Sequence, residues 1–401
     1  MIEKRDVLFL GYAVNPNSTD DYKGVSVAGN KMQLNILSRL KEDVNLYVIT
    51  VHPMAPYPTD KVLVYKRQEK QLVNNLISHN VGFINLPIIK QFIQSHNCKK
   101  LAEKYIKKHP DAIVLTFNMF PQVGNTAVYL KKKYKSTVAT ILADPPVDDR
   151  DSRGTLSAFL YNRYFDKTKN NYKMTDKVIT LNAFARHEYA PQSKFIVMEG
   201  GVDASSINKH HTDKPVETHN YELEDGRRHI VYGGSLADYS GIKALVMAMD
   251  DVKQDDIILD IYGDGTLKNW VIERQNEHIC FHGRVSNDQM LGIMSKAWLL
   301  INPRPVDTFM AKTTFPSKIF EYLLSGTPVL STKLNGFTDD YIDKMFWIEK
   351  DDPDGIADAI NSVCDCTKGD LEAMANRAYK FVIKEKNWDR QVKRIAKFIT
   401  A

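Results

Sequence analysis

The chain has 401 residues, 43% of them hydrophobic and 26% charged, with a formal net charge of +5 at pH 7. This length and composition allow two hydrophobic cores, so two globular domains are expected. The apolar runs are far shorter than the roughly 20 residues of a membrane-spanning helix. The four scattered cysteines match neither a disulfide framework nor a metal site, and the modest charge gives no indication of a nucleic-acid partner.

Short aliphatic segments alternate with amphipathic ones in the first half of the chain, a pattern typical of a parallel sheet with crossover helices. The amino terminus enters the first such segment after a few charges and has no signal-peptide pattern, which predicts a cytoplasmic protein. A helix is expected at residues 29–43, between the first two strands. The predicted strands are residues 6–12, 45–50, 112–117, 137–142, 177–181 and 194–198.

A polar stretch at residues 207–222 has no strand pattern and is predicted to link the two halves. The same alternation then resumes, which predicts a second doubly wound domain. Its expected strands are residues 229–234, 257–263, 279–283, 298–303, 328–332 and 345–349.

Both halves lack the G-x-G-x-x-G turn that a dinucleotide-dependent oxidoreductase needs after its first strand. Instead, a loop of about 20 residues follows the first strand, and loops of that length are usually functional or disordered. Gly24, Gly29 and Asn30 near its end could let the backbone approach a ligand closely.

The segment TTFPSKIFEYLLSGTPVLST, residues 313–332, places polar residues at the start of an apolar helix. Pro316 fits the first helical position, so a helix of about ten residues is expected from there. Ser317, Lys318 and Glu321 then share the side opposite the apolar residues. This side could bind a phosphate and two sugar hydroxyls. An ordinary solvated helix start, with Glu321 offsetting Lys318, is the alternative.

Four segments carry a family resemblance: MEGGVDAS, IYGDGTLKNW, ICFHGRVSNDQMLGIMSKAWLLINPRP and FPSKIFEYLLSGTPVLST. Together they resemble the retaining sugar-nucleotide glycosyltransferases of the GT-B fold, in the group usually called family four, with NPRP…PSK similar to a bacterial surface-polysaccharide branch. The resemblance implies two Rossmann-like doubly wound domains facing a central cleft. Residues 1–206 would bind the acceptor, residues 223–385 the donor, and 386–401 would form a helix crossing back to the first domain.

The resemblance also implies roles for individual residues. The loop at Arg284 and Val285 would meet the nucleotide base, Glu321 the ribose hydroxyls, and Lys318 with Arg304 the diphosphate. The predicted catalytic residues are Arg304, Lys318 and Asp144. The predicted donor-binding residues are Gly29, Asn30, Gly234, Ser235, Arg284, Val285, Ser317, Lys318 and Glu321.

Three positions depart from the family pattern. Thr313 stands where the first glutamate of E-x7-E is common, and Ser235 and Ser240 stand near the usual Arg and Lys. Arg304, Lys318 and Lys243 are candidates to compensate for the two missing cations.

The acceptor side offers fewer signals. Asp144 follows a strand at about the place where the family has a catalytic-centre histidine, although it could equally cap the turn before two prolines. His52 is a weaker candidate. Lysine-rich segments at 98–110 and 130–135 could rest on anionic lipid, so peripheral contact with the inner face of the membrane is possible. A solvated helix face is the alternative.

The resemblance implies transfer of a sugar from a nucleotide-diphosphate donor, with a UDP- or GDP-sugar favoured, to a glycan or lipid-linked acceptor. Neither a metal nor another cofactor is expected, and surface-polysaccharide or glycoconjugate biosynthesis is the implied setting. Because cations and a glutamate are missing, a catalytically inactive subunit that binds a partner transferase or a glycan is the alternative. A sugar-nucleotide epimerase is a third reading of the same fold.

Overall fold

The computed structural model describes residues 4–17, 26–146, 155–203 and 225–401. The chain divides into two compact units, one formed by Met1–Gly200 with Trp388–Ala401 and the other by Gly201–Asn387. The predicted linker at 207–222 lies outside the described residues, as do residues 18–25 of the long loop after the first strand, including Gly24. No helix of the described part is long and apolar enough to cross a membrane.

The strands are named in chain order. In the first unit they are β1 (Asp6–Gly11), β2 (Asn45–Thr50), β3 (Val64–Tyr65), β4 (Gln68–Gln71), β5 (Ile77–Asn80), β6 (Phe83–Ile84), β7 (Ile113–Phe117), β8 (Val138–Leu142), β9 (Lys177–Thr180) and β10 (Lys194–Val197). In the second unit they are β11 (Arg228–Ser235), β12 (Ile257–Asp264), β13 (Ile279–Gly283), β14 (Leu299–Asn302), β15 (Val329–Thr332) and β16 (Phe346–Ile348).

The α-helices follow the same convention. They are α1 (Val27–Leu40), α2 (Ile89–Ile106), α3 (Pro121–Tyr134), α4 (Thr155–Tyr172), α5 (Ala183–Tyr189), α6 (Ile242–Ala248), α7 (Lys268–Ile272), α8 (Asn287–Met294), α9 (Phe309–Thr313), α10 (Lys318–Leu324), α11 (Pro353–Cys364), α12 (Lys368–Glu385) and α13 (Trp388–Thr400).

The first unit is built on a sheet in the order β10-β9-β8-β7-β1-β2-β5-β4. Its strands are parallel except for the edge strand β4, which runs antiparallel to β5. Every residue of β7 and β8 is buried, as expected for parallel strands covered by helices on both faces. All six strands predicted in this half are confirmed. The polar strands β4 and β5 and the short pair β3–β6 were missed.

The second unit contains an all-parallel sheet in the order β13-β12-β11-β14-β15-β16. The six strands predicted here are also confirmed. In both sheets the strand order reverses beside the first strand, between β1 and β7 in one and between β11 and β14 in the other. Ligands of open α/β sheets bind at such switch points, beyond the carboxyl ends of the strands.

The carboxyl-terminal helix α13 packs on the first unit. Its residues Ile395 and Ile399 are fully buried, and Arg39 of α1 forms an ion pair with Asp389, with Nε 2.7 Å from Oδ1. The Lys177 ammonium also donates to the Ile399 carbonyl oxygen at 2.9 Å, which satisfies a carbonyl left free at the helix end.

Two predicted helices have different boundaries in the structure, and the first of them ends at Leu40 rather than residue 43. The helix α1 starts at Val27 rather than residue 29, because Ser26 Oγ accepts from Gly29 N–H at 3.1 Å and caps it. The helix expected from Pro316 is the shorter α10, which begins at Lys318. Its opening turn closes through a tighter bond, from Ile319 N–H to the Pro316 carbonyl oxygen at 2.9 Å.

A buried carboxylate joins two histidines across the second sheet. Asp260 of β12 is 6% exposed and contacts His229 Nδ1 at 2.5 Å and His282 Nε2 at 2.6 Å. Burial would raise the pKa of Asp260, but the hydrogen bonds from the histidines lower it below its ordinary 3.8. The bond to Asp260 raises the pKa of His229 above its ordinary 6.5, although burial opposes this.

We predict that Asp260→Asn lowers the free energy of unfolding by about 1–3 kcal/mol at pH 6 and by less at pH 9. The raised pKa of His229 makes its contribution complete below pH 6.5 and lost as the pH rises through the raised value. The Asp260 contribution is lost only on acidification, because its pKa is lowered. Urea unfolding at both pH values measures the difference.

Asp256→Asn provides the control for this prediction. Asp256 accepts from Arg228 Nε at 2.7 Å, and a guanidinium does not titrate between pH 6 and 9. Its effect should therefore be the same at both pH values. Equal losses at the two pH values for Asp260→Asn would contradict the account of the histidine pair.

Gly241, between β11 and α6, fixes the approach of two loops. Its φ is +78°, and an added Cβ would lie 1.9 Å from the carbonyl oxygen of Pro303. The atoms that the added Cβ would meet belong to the backbone of Pro303 and Arg304, so they cannot move aside easily. The glycine thus holds the loop after β11 against the residues that follow β14.

We expect Gly241→Ala to destabilise the protein by about 2–4 kcal/mol, since strain and steric overlap add. The matched control is Gly292→Ala in α8, where an added Cβ meets nothing within 4 Å. Gly292→Ala should raise the free energy of unfolding by about 0.5–1 kcal/mol, because alanine gives the unfolded chain fewer backbone conformations than glycine. Denaturant unfolding of both variants checks the pair, and a neutral Gly241→Ala would contradict the close approach.

Candidate functional site

The switch point of the second unit brings predicted residues from separate segments together. Gly234 and Ser235 end β11, and Arg304 follows the neighbouring strand β14. Lys318 begins α10 and reaches the same strand end through its side chain. The carboxyl edge beside β11 is therefore the part of this unit where the predicted donor-binding residues meet.

Lys318 is anchored to the end of β11. Its Nζ donates to the Gly233 carbonyl oxygen at 2.8 Å, and the buried Tyr322 hydroxyl lies 3.3 Å from the same oxygen. Lys318 is exposed as a whole residue, but its ammonium group lies against the protein at Gly233. Desolvation of the ammonium lowers the pKa of Lys318, and the charge of Glu321 opposes this shift. Because an ammonium has three donors, donors beyond the bond to Gly233 remain for a ligand.

Arg304 is a partly buried cation without a carboxylate partner in the described part of the chain. Its Nη2 donates to Thr314 Oγ1 at 3.2 Å, whereas its buried Nε has no hydrogen-bond partner. Burial lowers the pKa of Arg304, and the nearby phenols of Tyr239 and Tyr232 oppose the shift. A buried guanidinium N–H that lacks an acceptor is costly, so an anion bound here would be stabilised.

The remaining predicted residues of this unit lie along the same edge of the sheet. Ser235 Oγ accepts from the Tyr239 hydroxyl at 3.1 Å. Ser317 is exposed, and Glu321 is partly buried one turn into α10. Arg284 and Val285 follow β13, two strands from β11 in the sheet, and Arg284 is exposed. Their assigned roles in base and ribose binding stay predictions.

One candidate compensating cation, Lys243, and one position that departs from the family pattern, Thr313, have local partners. Lys243 forms an ion pair with Asp238 at 2.7 Å on the surface, so its charge is already balanced there. Thr313 is buried at the end of α9, and its hydroxyl donates to the Phe309 carbonyl oxygen at 2.7 Å. Among the proposed compensating cations, Arg304 and Lys318 are therefore the ones to which no carboxylate of the described residues is hydrogen-bonded.

The first unit contains a cavity of about 510 Å³ at its own switch point. It is bounded by residues that follow β1, β2, β7 and β8, and by the first turns of α1 and α2. Aromatic rings, amides, one carboxylate and one lysine line it. These include Tyr12, Gly29, Asn30, His52, Lys90, Asn118, Phe120, Gln122, Asp144 and Tyr164.

Asp144 contributes the carboxylate of this cavity. Asn118, at a φ of +58°, accepts from the backbone N–H groups of Ala143 and Asp144 at 3.0 Å and donates to Asp144 Oδ2 at 3.5 Å. Although Asp144 has an exposed surface, the cavity walls desolvate the carboxylate and raise its pKa, while the bond from Asn118 opposes the shift. It has no cation partner among the described residues.

Gly29 and Asn30 lie in this cavity rather than in the second unit. A Cβ added to Gly29 would be 3.7 Å from Asp144 Oδ2. The Asn30 side chain is occupied by the backbone of Val14, with Oδ1 accepting at 3.0 Å and Nδ2 donating at 3.2 Å. Its visible role is to hold the segment after β1 against α1, and donor binding stays a prediction.

His52 and Tyr12 are buried polar groups of the same cavity. Burial, aided by the charge of Lys70, lowers the pKa of His52 to about 4, so the imidazole is neutral at pH 7. The Tyr12 hydroxyl is buried and has no hydrogen-bond partner among the described residues, and its pKa is raised well above 10.0, first by burial. Tyr12 was missed by the sequence reasoning, although its position directly after β1 was the available signal.

Comparison with known proteins bears on both units. Residues 227–365 match the family model described as Glycosyl transferases group 1. An uncharacterized glycosyltransferase of Methanocaldococcus jannaschii is 23% identical over 339 residues, which make up 81% of this chain and 81% of that protein.

Solved structures extend the likeness to nearly the whole chain. HepE of Anabaena in complex with UDP has a TM-score of 0.65 at 13% identity, covering 98% of this chain and 99% of HepE. The trehalose-6-phosphate structure from E. coli bound with UDP-2-fluoro glucose has a TM-score of 0.65 at 11% identity, with coverages of 98% and 99%. Residues 227–365 are thus similar to group 1 glycosyl transferases, and the predicted GT-B fold class with two Rossmann-like α/β units is confirmed.

Proposed function

We propose that this protein is a retaining glycosyltransferase that moves a sugar from a nucleotide-diphosphate donor to a hydroxyl of a glycan or lipid-linked acceptor. UDP- or GDP-sugars are the favoured donors, and surface-polysaccharide or glycoconjugate biosynthesis is the favoured setting. The group 1 match over 227–365 and the neighbours bound to UDP and UDP-2-fluoro glucose support this class of donor.

The observation that carries the proposal is the pair Arg304 and Lys318. Both cations lie beside the end of β11, both have pKa values lowered by burial, and both lack a hydrogen-bonded carboxylate in the described structure. Desolvated cations of this kind are stabilised by a bound anion. A diphosphate has the charge and the acceptor oxygens for both groups.

The chemistry requires stabilisation of the leaving group more than covalent participation by the protein. As the bond from the sugar to the β-phosphate oxygen breaks, negative charge grows on that oxygen while the sugar becomes oxocarbenium-like. The acceptor hydroxyl oxygen bonds to the anomeric carbon, and its proton passes to the released diphosphate. Arg304 and Lys318 would oppose that charge from fixed positions, and such preorganised electrostatic stabilisation is commonly a large part of catalysis. The Gly233 hydrogen bond keeps Lys318 in place during this change.

For the acceptor we propose the cavity of the first unit. The Phe120 and Tyr164 rings stack at 5.9 Å, and apolar ring faces with nearby amides suit a sugar ring with hydroxyls. Asp144 would accept a hydrogen bond from an acceptor hydroxyl.

The direct test is donor turnover in single-site variants. We expect Arg304→Ala and Lys318→Ala each to lower the rate of nucleotide release from the active donor on the order of 100- to 1000-fold, as for loss of an oxyanion-stabilising donor. The control is Lys312→Ala, because Lys312 is a surface cation paired with Asp307 at 3.1 Å. It should retain the wild-type rate.

Thermal unfolding of each variant separates loss of chemistry from loss of fold. Unchanged turnover in folded Arg304→Ala and Lys318→Ala would contradict the proposed site. Failure of the wild-type protein to turn over any nucleotide sugar, with acceptors present, would favour an inactive binding subunit instead.

Glu321 gives a separate prediction about binding. Loss of its hydrogen bonds to the ribose hydroxyls in Glu321→Ala should weaken nucleotide affinity by about 1–3 kcal/mol. Isothermal titration calorimetry with the preferred nucleoside diphosphate measures this change, and Glu349→Ala, on the segment after β16, provides a control. An unchanged affinity would remove Glu321 from the donor site.

A further inference from the structure

An exposed apolar surface in the first unit is not used by the proposed reaction. We call it the apolar tip and define it by Leu63, Val64, Ile84, Ile88, Ile89 and Phe92. These side chains are strongly exposed, with Phe92 at 72%, Val64 at 56% and Ile88 at 55%. Single exposed apolar residues are ordinary, but a group of this size usually marks an interaction site.

Backbone bonds hold the two segments of the apolar tip close together. Val64 of β3 pairs with Ile84 of β6 in antiparallel register. The next residue, Asn85, donates its N–H to the Leu63 carbonyl oxygen at 2.7 Å and its side-chain amide to the Val62 carbonyl oxygen at 3.1 Å. Ile88 and Ile89 follow a few residues later at the start of α2. Two loops far apart in sequence therefore present their apolar side chains together.

The conformation of Ile88 is costly for an ordinary helix start. Its φ and ψ are +63° and −55°, and Ile89 N–H donates to the Pro87 carbonyl oxygen at 2.6 Å, so Ile88 is the centre of a γ-turn that is rare and strained. A β-branched residue at positive φ is unusual, and Ile88 supplies no side-chain cap to α2. Isoleucine at this position therefore favours neither the turn nor the start of α2. Its remaining property is an exposed apolar side chain on the apolar tip.

Unpaired cations flank the apolar tip. Lys61, Lys66 and Arg67 are exposed, and none forms an ion pair with a described residue. The two carboxylates close to them in sequence keep their negative charge, since Asp60 accepts from the neutral Tyr65 hydroxyl at 2.5 Å and Glu69 lies 3.1 Å from His79, but the three cations outnumber them. The surface around the apolar residues is therefore positive.

We propose that the apolar tip and its three cations dock the first unit on an anionic lipid bilayer. Apolar side chains inserted at the headgroup boundary together with basic residues form the two-part signal that stable peripheral binding needs. A protein interface fits less well, because lysine is depleted from such interfaces. This surface differs from the lysine-rich segments at 98–110 and 130–135.

Those lysine-rich segments, which the sequence suggested as the lipid contact, are partly neutralised within the unit. The Lys133 ammonium lies 2.8 Å from Glu103 Oε1, and Lys99 sits over the Tyr129 ring at 3.8 Å. They also expose no apolar side chain comparable to Phe92. The docking surface is therefore assigned to the apolar tip rather than to these helix faces.

Vesicle sedimentation with the full-length protein tests the proposal. We expect binding to vesicles of phosphatidylcholine mixed with phosphatidylglycerol, weaker binding to phosphatidylcholine alone, and release by salt. Lys61→Ala/Lys66→Ala/Arg67→Ala should lower the association constant about fivefold for each cation removed. Ile89→Ser/Phe92→Ser should lower it by about tenfold or more.

Two controls make the test specific. Ile342→Ser removes an isoleucine of the second unit that is 51% exposed, and Lys100→Ala/Lys104→Ala/Lys107→Ala removes exposed cations of the lysine-rich segment. Both should bind vesicles as the wild-type protein does. Ile88→Asn should weaken vesicle binding while leaving the unfolding temperature unchanged or raised, which a purely structural role would not produce.

Loss of vesicle binding in Lys100→Ala/Lys104→Ala/Lys107→Ala, together with unchanged binding in the variants of the apolar tip, would overturn the assignment. Absence of wild-type binding to every vesicle would overturn the proposal as a whole and would favour a protein partner for the apolar tip. Because the readout is lipid binding, both outcomes are independent of donor turnover.

Discussion

The hydrogen bond from the Lys318 ammonium to the Gly233 carbonyl oxygen joins the opening of α10 to the end of β11. It fixes a cation at the switch point of the second sheet, where the strand order reverses between β11 and β14. The tight turn at Gly241 holds the loop after β11 against Pro303, which follows β14. Arg304 is the next residue along the chain. The proposed donor site therefore depends on the geometry of one strand end.

A fixed cation is useful here only because no carboxylate is hydrogen-bonded to it in the described part of the chain. Surface lysines such as Lys312 have a carboxylate nearby, whereas Arg304 keeps a buried Nε–H without an acceptor. An ion pair with a carboxylate of the protein would already have stabilised these cations. Without such a pair, the stabilising free energy becomes available when an anion binds. The same reasoning applies to Asp144 in the first unit, whose raised pKa reflects a desolvated carboxylate without a cation.

The strands of both sheets could be predicted from sequence because their apolar runs are continuous, as parallel strands buried on both faces require. The edge strand Gln68–Gln71 and its neighbour Ile77–Asn80 could not be predicted, because their residues are mostly polar and form a strand only through pairing within the sheet. Gly326 lies just past the end of α10 and has a φ of +75°, the left-handed conformation in which glycine commonly ends a helix, so this end is readable from the sequence. The start was misplaced by two residues, because the first turn after Pro316 is tighter than an α-helix.

For the candidate site, sequence reasoning identified residues at strand ends but not their environment. The positions of Arg304 and Lys318 could be inferred from order and spacing. The unpaired Arg304 Nε and the positive φ of Asn118 are tertiary properties, set by which loops pack together. For the same reason, the ion pair that occupies Lys243 was not foreseeable from the chain alone.

The central claim is that the second unit binds a nucleoside diphosphate through Arg304 and Lys318. Calorimetric titration of the purified protein with UDP, GDP, ADP, CMP and TDP, first without metal and then with magnesium, tests it most directly. The account predicts that one diphosphate binds clearly more tightly than the others, without magnesium, and that Arg304→Ala weakens that binding. No binding by any nucleotide, or equal affinity in Arg304→Ala, would contradict it.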